Sequence, residues 1–126
     1  MNKLFVLLLM LFMHIIDDYR LQGILASMKQ EKWWRENAPD SLYKNDYIMA
    51  LFTHSYSWSF MIMLPIAIAN GFKVDGLFAL FLVINTVSHA AVDHLKANCH
   101  VINLICDQLI HIFQIVATWL LFICWR

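Results

Sequence analysis

Charged residues are scarce in this sequence. They make up 14% of 126 residues, and 9 Lys and Arg offset 9 Asp and Glu, so the formal net charge is zero. Soluble domains carry nearer a quarter. Zero net charge argues against a nucleic acid or any other strongly charged partner. Glycine and proline are also few, at 3 and 2. Cysteine occurs three times, as Cys99, Cys106 and Cys124, with no CxxC pair. An odd count cannot close a disulfide framework, so the three are expected to be buried apolar side chains. There is no repeat and no low-complexity tract.

What fills the chain is hydrophobic residue, 61% of the total. Four apolar stretches stand out, at about 3–28, 46–69, 74–96 and 101–125. Each approaches the ~20 residues that a helix needs to cross a bilayer. A spanning backbone must satisfy its own hydrogen bonds, so the expected fold is all-α. It would be a single transmembrane domain over 1–126, an up-down-up-down four-helix bundle with short final connections. Pro39, and later Gly71 and Gly76, mark breaks between the stretches. Pro65 falls inside the second stretch, where it is expected to kink the helix. The one charge-rich connection is 29–45.

The opening MNKLFVLLLMLFM also has the form of a signal peptide, with Ala26 and Ser27 able to supply a cleavage site. The early His14 and the pair Asp17–Asp18 weigh against that reading. Lys and Arg then suggest an orientation. Arg20, Lys29, Lys32, Arg35, Lys44 and Lys96 lie toward the first and third connections, against Lys3, Lys73 and Arg126 on the other side. The expectation is a bacterial inner-membrane protein with both termini outside.

The ionisable residues within the stretches are not scattered. His14 and Asp18 lie late in the first, and His54 early in the second. His89 and Asp93 lie late in the third, and Asp107 and His111 early in the fourth. In an alternating bundle all of these fall at one depth, on the cytoplasmic side. His14–Asp18, His89–Asp93 and Asp107–His111 are each i, i+4, which leaves ~40° between their directions on a helix. Any one such pair also fits a plain helix ion pair. A charge near mid-membrane costs about 2.5–3.5 kcal/mol on insertion scales, so several together should pair, hold a cation or line a wet cavity.

Four imidazoles and three carboxylates make a borderline-to-hard donor set. It suits Zn, Mn, Fe or Ni rather than a thiolate-bound ion. The expected metal ligands are His14, Asp18, His54, His89, Asp93, Asp107 and His111, enough for one or two divalent ions per chain. Asp18 or Asp107 could act as a general base. Lys96 and Gln22 could bind a substrate phosphate or orient water, although a Lys in that position more often snorkels to the interface. Asp17 reads either as a supporting acid or as an interfacial charge. His94 and His100 are expected near the interface. Ser55, Tyr56 and Ser57 could line a cavity or bond between helices. Trp58 reads as packing.

In order along the chain, HIIDDYRLQ, MKQEK, THSYS, HAAVDHLK and DQLIH resemble a motif series of the domain of unknown function 3307 family of small phage and bacterial membrane proteins. The resemblance runs from His14 to His111. It implies that His14, Asp18, Gln22, Lys29, His54, His89, Asp93, Lys96, Asp107, Gln108 and His111 are the motif positions, without assigning an activity. A looser analogy links the chain to membrane-bound metal-dependent hydrolases, which also set His and Asp in transmembrane helices.

Two functions compete. The first is a membrane-embedded metal-dependent hydrolase acting on a membrane lipid or lipid-linked substrate. The second is a non-enzymatic membrane protein, either an ion or proton conduit or an interaction protein with a structural polar cluster. A conduit needs polar groups through its whole depth. Met61–Ala69 and Ala117–Cys124 are almost purely apolar, which favours a one-sided pocket.

Overall fold

The side chain of Asn2 accepts hydrogen bonds from the amides of Leu4 and Phe5, which starts the first helix. The computed structural model describes residues 1–125. Helix α1 covers Lys3–Ile16, and a π-helical turn, Asp17–Leu21, continues it. The chain then turns at Gly23 and forms two short helices, α2 (Leu25–Met28) and α3 (Glu31–Asn37). A 3-10 turn at Ser41–Tyr43 leads into α4 (Asp46–Ala69). Helix α5 covers Gly76–Ala97, and α6 covers Leu104–Trp119 before closing in a π turn, Leu120–Trp125. Asp75 and Asn103 cap α5 and α6 by accepting from the amides of Phe78 and Cys106. Among the described residues there is no strand.

The first stretch is not the single helix to residue 28 that was expected. It breaks after Leu21, where Gly23 takes φ +52°. Only glycine enters that region without penalty. A Cβ at Gly23 would meet nothing closer than 4.0 Å, so a substitution there strains only the backbone. Gly23→Ala is therefore expected to destabilise the fold by about 1 kcal/mol. A thermal or denaturant unfolding curve in detergent checks it.

Three helical segments are long and apolar enough to cross a membrane: Ser41–Ala69, Gly76–Ala97 and Leu104–Trp125. Helix α1 is not among them. Its 14 residues reach about 21 Å at the α-helical rise, against ~30 Å of bilayer hydrocarbon. The π turn that follows brings in Asp17, Asp18 and Arg20. Helix α4 runs unbroken through Pro65. The connection expected at 29–45 is itself partly helical and is tied down at its start. Asn98 donates to the carbonyl of Lys29 and accepts from the amide of Glu31.

Helix α1 packs on α4 and α6, and α5 packs on both of them as well. The contacts run in opposite senses along each pair. Asp17 and His14 meet Ser57 and Trp58, Tyr47 and His94 stack as do His54 and His89, and Lys96 and Asn85 meet Asp107 and Thr118. On α1 and α6, Lys3 and His14 meet Trp119 and Gln108. Neighbouring helices are therefore antiparallel.

The interior divides in two. One half is apolar, with Val6, Met10, Ile62, Ile66, Phe78, Ile115 and Phe122 packed together. The other half is polar, and Trp58 lies where the two meet. The outward faces carry Phe5, Leu8, Phe12, Val83, Val87 and Phe113, each more than half exposed. An apolar exterior around a polar interior is the arrangement a lipid solvent calls for. The cysteines follow the same logic. Cys99, Cys106 and Cys124 are exposed, not buried as expected. Cys106 and Cys124 lie at exposed positions of α6 and its closing π turn, and Cys99 in the turn between α5 and α6.

Candidate metal centre

Each i, i+4 pair sits on a helix whose polar face turns inward, and the pairs converge. His14, His54, His89, Asp93, Asp107 and His111 are all buried. Asp18 is nearly so, with a side chain 9% exposed.

The centre of the cluster is the pair His54–His89, whose Nε2 atoms lie 3.1 Å apart. Two carboxylates flank that pair. Asp93 Oδ2 is 3.4 Å from His54 Nε2 and 3.6 Å from His89 Nε2. Asp18 Oδ1 is 3.3 Å and 3.8 Å from the same atoms. Donors at ~2.0–2.2 Å around a tetrahedral ion stand roughly 3.3–3.6 Å from one another. The triangle of His54, His89 and Asp93 thus has the dimensions of one face of such a polyhedron. Two groups, Asp18–His54–His89 and His89–Asp93–His111, bring their ligand atoms within 4.8 Å and could hold a metal ion.

The rings are held from behind. His111 Nδ1 lies 3.1 Å from Gln114 Oε1, so that nitrogen carries a proton and is already engaged. That Nε2 faces Asp107 Oδ1 at 3.3 Å and Asp93 Oδ1 at 3.7 Å. Neither Nε2 of His111 nor Oδ1 of Asp107 makes a hydrogen bond, although both are buried. They stand at ligand–ligand spacing without bonding each other, so both remain available to a third group. His54 Nδ1 lies 3.6 Å from Asp17 Oδ2, and the other Asp17 oxygen accepts from Ser57 at 2.6 Å. No hydrogen bond joins His54 Nδ1 to Asp17 Oδ2, so this carboxylate acts on the ring by its charge. His89 is stacked between Trp58 and His111, with ring centroids 4.3 Å and 4.1 Å away.

Two lysines enter the cluster. Lys29 is buried and donates to Asp93 Oδ2 at 2.6 Å and to Gln22 Oε1 at 2.9 Å. Lys96, 26% exposed, donates to Asp107 Oδ2 at 2.8 Å. The four carboxylates Asp17, Asp18, Asp93 and Asp107 thus face two ammonium groups. With neutral imidazoles the cluster is two positive charges short, the charge of one divalent cation. Burying that deficit in a low dielectric is costly, and a bound cation removes the cost.

Several expectations change in the structure. His14 does not join the convergent donors. Its Nδ1 accepts from Trp58 Nε1 at 2.8 Å, and its Nε2 bonds Gln108 Oε1 at 3.0 Å, so both nitrogens are taken. Gln22 is engaged by neighbouring groups of the chain. Its amide donates to the carbonyl of Asp18 and accepts from Lys29. Lys96 is paired within the cluster rather than reaching for the interface. Ser55 donates back to Leu51 within its own helix, and Tyr56 points outward, 53% exposed. Asp17 is fully inside and supports His54. His94 stacks on Tyr47, and His100 is exposed.

Trp58 is more than packing, because it bonds His14 and stacks on His89. Nothing in its apolar context signals the indole N–H contact. Gln114 is missed too, although the stripe Asp107–His111 continues to it three residues on. Trp58→Phe keeps the packing and leaves His14 Nδ1 unsatisfied. It is expected to cost about 1–3 kcal/mol in unfolding free energy, checked by thermal unfolding in detergent.

An apolar groove of about 610 Å³, lined by Leu11, His14, Ile15, Tyr19, Gln108 and Ile112, opens between α1 and α6 on the outer face. Gln108 links its floor to the cluster by donating to Asp107 Oδ2 at 3.0 Å and Asp18 Oδ2 at 3.3 Å.

Fold and site together describe an all-helical protein with three helices able to cross a membrane and buried His and Asp groups able to hold a metal ion. The chain belongs to the family of proteins of unknown function DUF3307, whose model matches residues 6–125. No curated protein and no solved structure matches it.

Proposed function

We propose that this chain is a membrane-embedded metal-dependent hydrolase built as an up-down-up-down four-helix bundle, acting on a lipid or lipid-linked substrate. The observation that carries the reading is the convergence of buried imidazole and carboxylate atoms at ligand–ligand spacing. The charge deficit of the cluster supports it independently.

His54 and His89 would hold the ion, with Asp93 and Asp18 as carboxylate ligands. The donor set suits Zn, Mn, Fe or Ni. When bound, such an ion polarises the scissile group and lowers the pKa of water. The chain's own residues do the rest. Ser57 anchors Asp17 behind His54, and Gln114 bonds His111 Nδ1. His14 and Gln108 form the polar floor of the groove, where the head of a bilayer lipid would lie with its tail along Leu11, Ile15 and Ile112. Attack by water forms a bond from its oxygen to the acyl carbon or phosphorus and breaks the bond to the leaving oxygen. Asp18, with Oδ1 toward His54, would take the water proton on the Oδ2 beside Gln108 and pass that same proton to the leaving oxygen.

The positive charge at the first and third connections supports a bacterial inner-membrane protein with the site toward the cytoplasm. Arg126, which entered that comparison, lies outside the described residues. The apolar half of the interior, around Ile62 and Ile115, speaks against a conduit.

Metal content tests the reading. Protein purified in detergent without chelators is expected to carry stoichiometric divalent metal by elemental mass spectrometry, and His54→Ala to lose most of it. Wild type without bound metal, and unable to take up Zn²⁺ or Mn²⁺, would sink the proposal and leave a structural polar clamp. Product release from labelled membrane lipid extract by the loaded wild type separates an enzyme from a metal-stabilised fold.

A further inference from the structure

We infer that the cluster holds two metal positions rather than one, bridged by Asp93, and that the second is formed by His111 and Asp107. This rests on the metalloprotein reading above and extends it.

The two oxygens of Asp93 face different imidazoles. Oδ2 lies 3.4 Å from His54 Nε2 and 3.6 Å from His89 Nε2, whereas Oδ1 lies 3.7 Å from His111 Nε2. A carboxylate that presents one oxygen to each of two donor sets has the geometry of a bridging ligand. The rings of His89 and His111 stack at 4.1 Å with only 22° between their planes. The stack sets the two donor sets side by side, with Asp93 between them. Asp107 Oδ1, 3.3 Å from His111 Nε2, supplies a third donor.

The unmet atoms carry the inference beyond a simple acidic cluster. His111 is fully buried, and its Nε2 has no hydrogen-bond partner, as is also true of Asp107 Oδ1. Gln114 already occupies the other nitrogen of His111. Lys96 already satisfies the other oxygen of Asp107. What is left is a buried Nε2 that lies 3.3 Å from Asp107 Oδ1 and 3.7 Å from Asp93 Oδ1 and bonds neither, a donor group a cation could complete.

Charge sets the order of filling. The first divalent ion cancels the deficit left by four carboxylates and two lysines. A second brings an excess of two positive charges, so it binds more weakly and should be helped by an anion. Three protein donors also leave the second position open to an exogenous ligand, as catalytic sites require.

Native mass spectrometry of detergent-solubilised protein, stripped of metal and titrated with Mn²⁺, tests this. Wild type is expected to load in two steps to two ions per chain. The second affinity should be at least tenfold weaker than the first and strengthened by inorganic phosphate. Electron paramagnetic resonance should show an exchange-coupled pair at full loading. Asp107→Asn should stop at one ion and give an uncoupled spectrum. Wild type that saturates at one ion per chain would overturn the second position while leaving the hydrolase reading intact. No uptake at all would remove both. The wild-type titration decides the matter even where a variant fails to fold.

Discussion

Asp93→Asn is expected to abolish stoichiometric metal binding and to destabilise the fold at the same time. Asp93 stands between every group that the cluster brings together. Lys29 bonds its Oδ2, His54 and His89 face that same oxygen, and His111 and Lys96 lie 3.7 Å and 3.8 Å from its Oδ1. An amide of the same shape keeps one acceptor for Lys29 but removes the negative charge. The buried ammonium is then left without its counter-ion, and breaking one side of such a pair costs about 3–5 kcal/mol. Changes to groups that only hydrogen-bond a ligand cost ~10–100-fold in metal affinity, so loss of a ligand common to both donor sets should exceed 100-fold. Two measurements check it, thermal unfolding in detergent and metal content by elemental mass spectrometry. Asp93→Asn with Lys29→Met separates the causes. The double variant should regain much of the stability and none of the metal. Normal metal content in Asp93→Asn would remove Asp93 from the ligand set.

How far the sequence disclosed this arrangement depends on what each residue's position required. The pairs His89–Asp93 and Asp107–His111 were legible because a regular helix repeats every 3.6 residues and each pair lies within one helix. Their convergence followed from helices that alternate in direction. Asp17 was legible only as one of two roles. In a regular helix neighbouring residues point 100° apart, so Asp17 and Asp18 should not both turn inward. The π turn at Asp17–Leu21 changes that local register and brings both to the cluster. The burial of Lys29 depends on tertiary structure alone. It follows from the turn at Gly23 and from Asn98, which ties the carbonyl of Lys29 and the amide of Glu31 to the end of α5. The cysteines misled for a different reason. Hydrophobic character reports burial only when the solvent is water, and here the exterior is apolar as well.

Lys29→Met should make the stability of the protein depend on metal. In the metal-free chain Lys29 is the closest cation to Asp93, at 2.6 Å, and both side chains are more than nine-tenths buried. Replacing the lysine with an apolar side chain of similar length keeps the packing and strands the carboxylate. The cost of that stranded charge is again about 3–5 kcal/mol. A divalent ion on the His54–His89 side supplies the missing positive charge to the same oxygen. Lys29→Met stripped with a chelator is therefore expected to melt well below the stripped wild type, with most of the difference recovered on adding Zn²⁺ or Mn²⁺. The wild type should respond less, since its lysine already meets part of the demand. Its metal affinity should be the weaker of the two, because the lysine and the ion compete for one carboxylate oxygen. If metal raised the melting temperature of both proteins equally, Lys29 and the ion would not share Asp93. The ammonium would then be a plain clamp between the first connection and α5.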